Sequence, residues 1–122
     1  MSTPAATTVT AEDIGENLRR IVVSGRLDTT GTNDIAADLA FFAEAPKKGV
    51  IVDLTGVQFL ASVGIGQLIT TAQDVKARDG FMVLLAARGS SVMMSLEMAG
   101  IAPLIPVFDS PPDAYTAALR GF

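Results

Sequence analysis

The chain has 122 residues and a formal net charge of −4, and it contains neither cysteine nor histidine. These counts exclude disulfides, thiolate metal sites and any Ser-His-Asp triad. A length of 122 residues fits one domain, and the sequence has no basic patch with interleaved aromatics, so we expect no nucleic-acid partner.

Strand patterns dominate the first part of the chain. An edge strand is predicted over residues 7–14, and the turn Gly15-Glu16-Asn17 leads into a second strand over 18–24. Residues 34–45 have the apolar spacing of a helix that ends before Pro46. The short apolar run 49–54 is typical of a central strand.

The period changes from strand to helix at Ser62. Apolar residues recur at helical spacing from Ile65 to Val75, whereas Gln67 and Thr71 are expected away from this apolar face. The pair Asp79-Gly80 is expected to end this helix.

Three further elements are predicted after that helix and a strand over 81–87. A helix capped by Ser90 or Ser91 should close at Gly100, and residues 104–108 should form an edge strand because Pro106 interrupts them. A final helix is predicted over 113–119.

The predicted order is therefore β-β-α-β-α-β-α-β-α. This alternation indicates an α/β fold with four helices and a mostly parallel central sheet, whose N-terminal edge strand is antiparallel. We expect residues 1–122 to form a single domain, with residues 1–6 disordered. Loops that follow parallel strands gather at one edge of the sheet, so Asp28 and Ser62 are expected to be neighbours.

Several residues at this edge allow a structural and a functional interpretation. Ser62 can be an N-cap, an exposed functional hydroxyl, or both. Gly64 and Gly66 either let the first helical turn pack closely on the sheet or leave the helix start bare for a partner. Asp28 either caps the turn TTGTN or contributes to binding.

Asp53 lies at the end of a predicted central strand, where receiver domains have the aspartate that is phosphorylated. The acidic pair and the later lysine that such chemistry needs are absent, so we expect Asp53 to form hydrogen bonds in the following loop. The side chains of Met93, Met94 and Met98 are expected to pack, with a binding surface as the alternative. The segment Lys47-Lys48 is expected to be solvated.

Residues 54–73 carry no charge and are long enough to span a membrane. Their glutamines, hydroxyls and three glycines indicate a buried strand-to-helix unit instead. The N-terminal MSTPAATT lacks the features of a signal peptide. We expect a cytoplasmic protein with no direct membrane insertion.

Two motifs resemble those of the STAS domain family. SGRLD, residues 24–28, resembles the family's G-x-L-D, and VIVDLTGVQFLASVGIG, residues 50–66, resembles its strand and loop ending in D-S-[SAT]-G-[LI]-G. The resemblance covers residues 9–119. Ala61 stands where many members have aspartate, and Val63 stands where many have a small polar residue.

The resemblance implies a STAS fold and the role of an anti-sigma factor antagonist, a protein that is not an enzyme and needs no cofactor or metal. It implies that Ser62 is phosphorylated by an anti-sigma factor that is also a serine kinase, and that a PP2C-type phosphatase reverses this. The expected partner-binding residues are Asp28, Ser62, Gly64, Gly66, Gln67 and Thr71. The alternative is an accessory subunit of an ABC-type lipid transport complex, in which Ser62 only caps or packs.

Overall fold

The structure, a computed structural model of the chain, describes residues 6–44 and 47–121. Within these residues, five strands form one sheet in the order β1-β2-β3-β4-β5. The strands are β1 (Thr8–Ile14), β2 (Leu18–Leu27), β3 (Gly49–Leu60), β4 (Phe81–Leu85) and β5 (Val107–Phe108). The helices are α1 (Thr29–Ala43), α2 (Ser62–Ala77), α3 (Ser91–Met98) and α4 (Pro111–Arg120). The predicted order of elements is confirmed.

The sheet is mixed, as the sequence predicted. β1 pairs with β2 in antiparallel orientation, and the pairs β2–β3, β3–β4 and β4–β5 are parallel. β2 and β3 stay paired from Leu18 opposite Gly49 to Leu27 opposite Leu60, with two register shifts on the way. The carboxyl ends of these two central strands therefore meet at one edge of the sheet.

Helices cover both faces of the sheet and create two apolar clusters. Ile35 of α1, Leu68 of α2 and Leu96 of α3 pack on one face, where the buried strand residues include Val52. α4 packs small alanines on the other face, against a group that includes Ile51. Each buried aliphatic side chain of this size contributes roughly 1.5–3 kcal/mol to folding, so the apolar periodicity of the sequence determines which faces meet.

The boundaries of several elements differ from the prediction. α1 begins at Thr29 rather than at residue 34, because Asp28 caps the segment that was predicted as a loop. β3 continues to Leu60 rather than ending at residue 54, because its pairing with β2 continues beyond Asp53. β4 ends at Leu85, and β5 has only two residues, which follow Pro106. Two predictions lie outside the described residues. One is the end of the first helix at Ala45, before Pro46, and the other is disorder of residues 1–5.

Asp53 is buried in the sheet and holds a hydrogen-bonded network. Its Oδ1 accepts hydrogen bonds from the Thr55 N–H at 2.9 Å and the Thr55 hydroxyl at 2.6 Å, and its Oδ2 pairs with Arg20. Arg20 Nη1 also donates to Glu12 Oε1 at 2.9 Å. Burial alone would raise the pKa of Asp53, but these bonds outweigh it and hold the pKa below its usual range. The prediction that Asp53 bonds to the residues after it is confirmed, although those residues extend the strand.

Two surface predictions need correction. Met93 packs against the core as expected, but Met94 and Met98 are exposed, because α3 is short and only one side of it faces the sheet. Lys47 is partly buried, and its Nζ donates to Glu16 O at 2.8 Å, so only Lys48 of that pair is fully solvated.

Among residues 6–44 and 47–121, none of the helices has both the length and the apolar character of a membrane span.

Candidate partner-binding site

Asp28 and Ser62 lie at the same edge of the sheet. Asp28 directly follows Leu27, the last residue of β2, and Ser62 follows Leu60, the last residue of β3, after one intervening residue. Leu27 and Leu60 are opposite each other, and Leu27 O accepts a hydrogen bond from Ala61 N at 3.0 Å. The expectation that these two residues are neighbours at one edge is confirmed.

The start of α1 is capped by its own carboxylate. Asp28 has extended backbone angles, and its Oδ1 accepts a hydrogen bond from Gly31 N at 2.8 Å. The Gly31 N–H, followed by the nearby Arg26 guanidinium, holds the pKa of Asp28 below its usual value. The capping interpretation of Asp28 is therefore correct, and its second oxygen, Oδ2, lies 3.5 Å from Arg26 Nε.

The start of α2 has no such cap. Ala61 occupies the N-cap position, and Ser62 is the first helical residue. The prediction that Ser62 caps the helix is wrong by one position, because a capping side chain must precede the first turn. Ser62 is exposed, and within the described residues its hydroxyl makes no hydrogen bond. The first-turn N–H groups of α2 also lack an intrahelical partner.

The two glycines of α2 have different roles. A Cβ on Gly64 would lie 2.9 Å from Leu27 Cβ and 3.0 Å from Leu27 O, so only glycine lets the first turn approach β2 this closely. A Cβ on Gly66 would meet nothing within 4 Å, and this residue is exposed. Close packing against β2 thus requires glycine at position 64, whereas Gly66 lies on an exposed and uncovered part of the helix surface.

Gln67 and Thr71 are one helical turn apart but differ in exposure. Thr71 is only 2% exposed, so the expectation that it lies away from the buried side of α2 is wrong. α1 packs along α2 and covers this second side, where Thr71 lines a small cleft with Ala40 and Ala43. The Thr71 hydroxyl is satisfied because it donates to Gln67 O at 2.8 Å. Gln67 remains partly exposed.

The sequence interpretation missed a stacked pair beside this site. Arg26 of β2 is opposite Phe59 of β3, and Arg26 Cζ lies 4.6 Å from the centroid of the Phe59 ring. Phe59 and Val63 are each 40% exposed, which adds apolar surface next to Ser62. Arg26 belongs to the SGRLD motif, but its contact with Phe59 depends on the strand register, which the sequence does not state.

This edge of the sheet combines an exposed hydroxyl with charged and apolar side chains. Among the residues that the structure describes, no group of three or more acidic side chains could hold a metal ion. The exposed Ser62 hydroxyl can accept a modifying group, and the surrounding Asp28, Arg26, Phe59 and Val63 provide charged and apolar contacts. We call these five residues the edge surface.

Comparison with known proteins identifies the family. The STAS domain model matches residues 8–114, and the chain therefore belongs to the STAS domain family. No curated protein sequence matches this chain significantly.

Solved structures with this fold include proteins of two kinds. An anti-sigma factor antagonist from Mycobacterium paratuberculosis is 23% identical, with 98% of this chain and 99% of that chain covered and a TM-score of 0.84. The phosphorylated form of the Bacillus cell fate determinant SpoIIAA is 19% identical, with coverages of 89% and 97% and a TM-score of 0.63. A murine anion transporter of the solute carrier 26 family is 14% identical, with coverages of 94% and 22% and a TM-score of 0.72. These likenesses show the STAS fold.

Proposed function

We propose that this protein is an anti-sigma factor antagonist that regulates transcription by binding an anti-sigma factor with serine kinase activity. The observation that carries the proposal is the exposed, unbonded hydroxyl of Ser62 at an uncapped helix start, beside Asp28 at the same sheet edge. The fold is shared with an anti-sigma factor antagonist from Mycobacterium paratuberculosis and with the anti-sigma factor antagonist SpoIIAA. The protein acts by binding, in the cytoplasm, and not as an enzyme.

Phosphorylation of Ser62 controls this binding. Ser62 Oγ bonds to the γ-phosphorus of ATP while the bond from that phosphorus to the β,γ-bridging oxygen breaks, so that ADP leaves and a base of the kinase takes the hydroxyl proton. The phosphoryl group brings about −1.5 to −2 charges. The start of α2 tolerates this charge, because free N–H groups and the helix dipole favour anions. A partner packed against the same surface loses contact through repulsion and desolvation, and a PP2C-type phosphatase restores the hydroxyl.

The proposed contact area for the partner consists of those expected binding residues that are accessible to solvent. Asp28, Ser62, Gly66 and Gln67 are accessible at the carboxyl edge and the first turns of α2. Gly64 supports this area from beneath through its packing on Leu27. Thr71 is buried between α1 and α2, so we leave it out of the contact area.

A pull-down with the protein as bait tests the proposal. The bait is used unmodified and as Ser62→Glu, in an extract of the cells that produce it, and mass spectrometry identifies both the bound proteins and phosphate on Ser62. We expect the unmodified bait to recover an anti-sigma factor kinase and the Ser62→Glu bait to recover much less of it. Recovery of an ABC ATPase and permease by both baits, with no phosphate on Ser62, would instead support the accessory transport subunit.

A further inference from the structure

Arg26 of the edge surface is only weakly paired with the Asp28 carboxylate. Arg26 Nε lies 3.5 Å from Asp28 Oδ2, whereas Arg88 Nε lies 2.7 Å from Asp109 Oδ2 at the neighbouring strand ends. Charge-assisted N–H···O bonds normally measure about 2.7–2.9 Å. The side chains of Arg26 and Asp28 are 54% and 41% exposed, so solvent weakens their attraction further. A stronger anion nearby can therefore displace Asp28 from Arg26.

Arg26 has a second contact that does not depend on Asp28. Its guanidinium lies over the Phe59 ring at 4.6 Å, within the range of a cation–π interaction. The two residues are opposite each other in the β2–β3 register, which fixes the backbone beneath both. The guanidinium has five N–H donors, so those at its edge remain available while its face stays on the ring.

Asp28 can lose Arg26 without losing its place in the fold. Its two carboxylate oxygens have separate contacts, because Oδ1 accepts the Gly31 N–H at 2.8 Å and Oδ2 is nearest to Arg26. The cap of α1 therefore stays intact if the guanidinium turns away.

Ser62 lies on the other side of the same strand junction. Ala61, which precedes Ser62, donates a backbone hydrogen bond from its N–H to the carbonyl oxygen of Leu27, which follows Arg26. A phosphoryl group on Ser62 would add about −1.5 to −2 charges at this junction. Arginine binds phosphate through two parallel N–H···O bonds, which a single distant carboxylate oxygen cannot match.

We propose that Arg26 is the internal counter-ion of the switch: it pairs with Asp28 while Ser62 is unmodified and turns to the phosphate when Ser62 is phosphorylated. This inference rests on the proposed phosphorylation of Ser62. Phosphorylation then alters two helix starts at once, because it adds charge to α2 and withdraws the cation from Asp28 at α1. A partner that contacts the Arg26–Asp28 pair meets both changes.

The test uses full-length protein with phosphoserine installed at position 62 during synthesis, so that no kinase is needed. Phosphorus NMR then follows the second pKa of the phosphate, which is ordinarily about 6. Arg26→Gln should raise this pKa by about 0.5, less than the ~1–3 of closely paired buried groups because solvent screens the pair. Arg26→Lys should restore part of the difference. Arg88→Gln, the matched control that removes an arginine from the next strand end, should leave the pKa unchanged.

An equal phosphate pKa in the parent protein and in Arg26→Gln overturns the proposal. Nitrogen NMR of the arginine Nε–H groups supplies a measurement that needs no variant. The Arg26 signal should shift downfield on phosphorylation while the Arg88 signal stays, and an unmoved Arg26 signal also overturns the proposal. Because the phosphate is installed without a kinase, a negative result leaves the kinase-dependent switch standing. Conversely, if the pull-down recovers no kinase, the proposed function fails but the NMR result on Arg26 still stands.

Discussion

Two helices begin side by side at the carboxyl edge of the sheet, and their first turns are built differently. At α1, the Asp28 carboxylate accepts the Gly31 N–H and caps the helix. At α2, Ala61 offers no side-chain acceptor, and the Ser62 hydroxyl is exposed. Both helix starts favour an anion through their free N–H groups and dipoles. α1 carries the Asp28 carboxylate as its own anion, whereas α2 would receive one only through the phosphorylation of Ser62 that we propose.

Asp28 and Ser62 therefore differ in what they contribute to the fold, although both lie at the same edge of the sheet. The carboxylate of Asp28 contributes to stability in every state of the protein, because its bond to Gly31 lies within α1. Ser62 contributes no hydrogen bond in the described structure, so its hydroxyl can be modified without breaking one. The fold therefore leaves the start of α2 uncapped and the Ser62 hydroxyl exposed.

The largest expected effect on stability is at Gly64, which fixes the position of the α2 start. Gly64→Ala places a Cβ within 3.0 Å of Leu27 O and should destabilise the protein by about 2 kcal/mol, as overpacked sites do. Gly66→Ala, the matched control in the same helix, should stabilise it by about 0.5–1 kcal/mol, because alanine favours a helix and nothing lies in its way. Urea denaturation of both variants measures this, and equal shifts would contradict the packing argument.

The second effect is the pH dependence that Asp28 gives to α1. The folded-state pKa of Asp28 is lowered, so its contribution to stability is present above the unfolded pKa of about 3.9 and is lost as the pH falls through the folded value. Asp28→Asn keeps a capping oxygen but removes the titration. The difference in denaturation midpoint between the parent protein and Asp28→Asn should therefore shrink on acidification from pH 6 to pH 2. A difference that stays constant with pH would show that the carboxylate charge does not stabilise α1.

The smallest effect on stability is expected at Ser62. Ser62→Ala should change the free energy of unfolding by less than about 0.5 kcal/mol, because no cap is lost. Ser62→Glu should stabilise the protein by about 0.3–1 kcal/mol, because it places a negative charge in the first turn of α2. Thermal melting compares the two variants. A clear loss of stability in Ser62→Ala would mean that the hydroxyl caps the helix after all.

Helical and strand periodicity were sufficient to predict the order of elements and the shared edge. Apolar residues such as Leu68 and Val75 recur at the spacing that the sheet buries, so these elements were predicted correctly. The start of α1 was missed because Thr29, Gly31 and Asn33 have turn-like character, and the Asp28 cap outweighs it.

The details of the site depended on contacts between elements. Thr71 is buried because α1 lies beside α2, which the pattern of α2 alone does not reveal. The Arg26–Phe59 stack depends on the register of two strands that are far apart in sequence. The proposed role of Ser62 came from the family motif, whereas its position as the first helical residue came from the backbone of the structure.

The affinity of the partner for four forms of the protein tests the central claim most directly. The kinase recovered by pull-down is titrated calorimetrically, without ATP, against the unmodified protein, Ser62→Ala, Ser62→Glu and the Ser62-phosphorylated protein. We predict equal binding of the first two forms, weaker binding of Ser62→Glu, and a loss of about 100-fold, or about 2.7 kcal/mol, for the phosphorylated form. Equal affinity of all four forms would contradict the claim that the start of α2 is a phosphorylation switch.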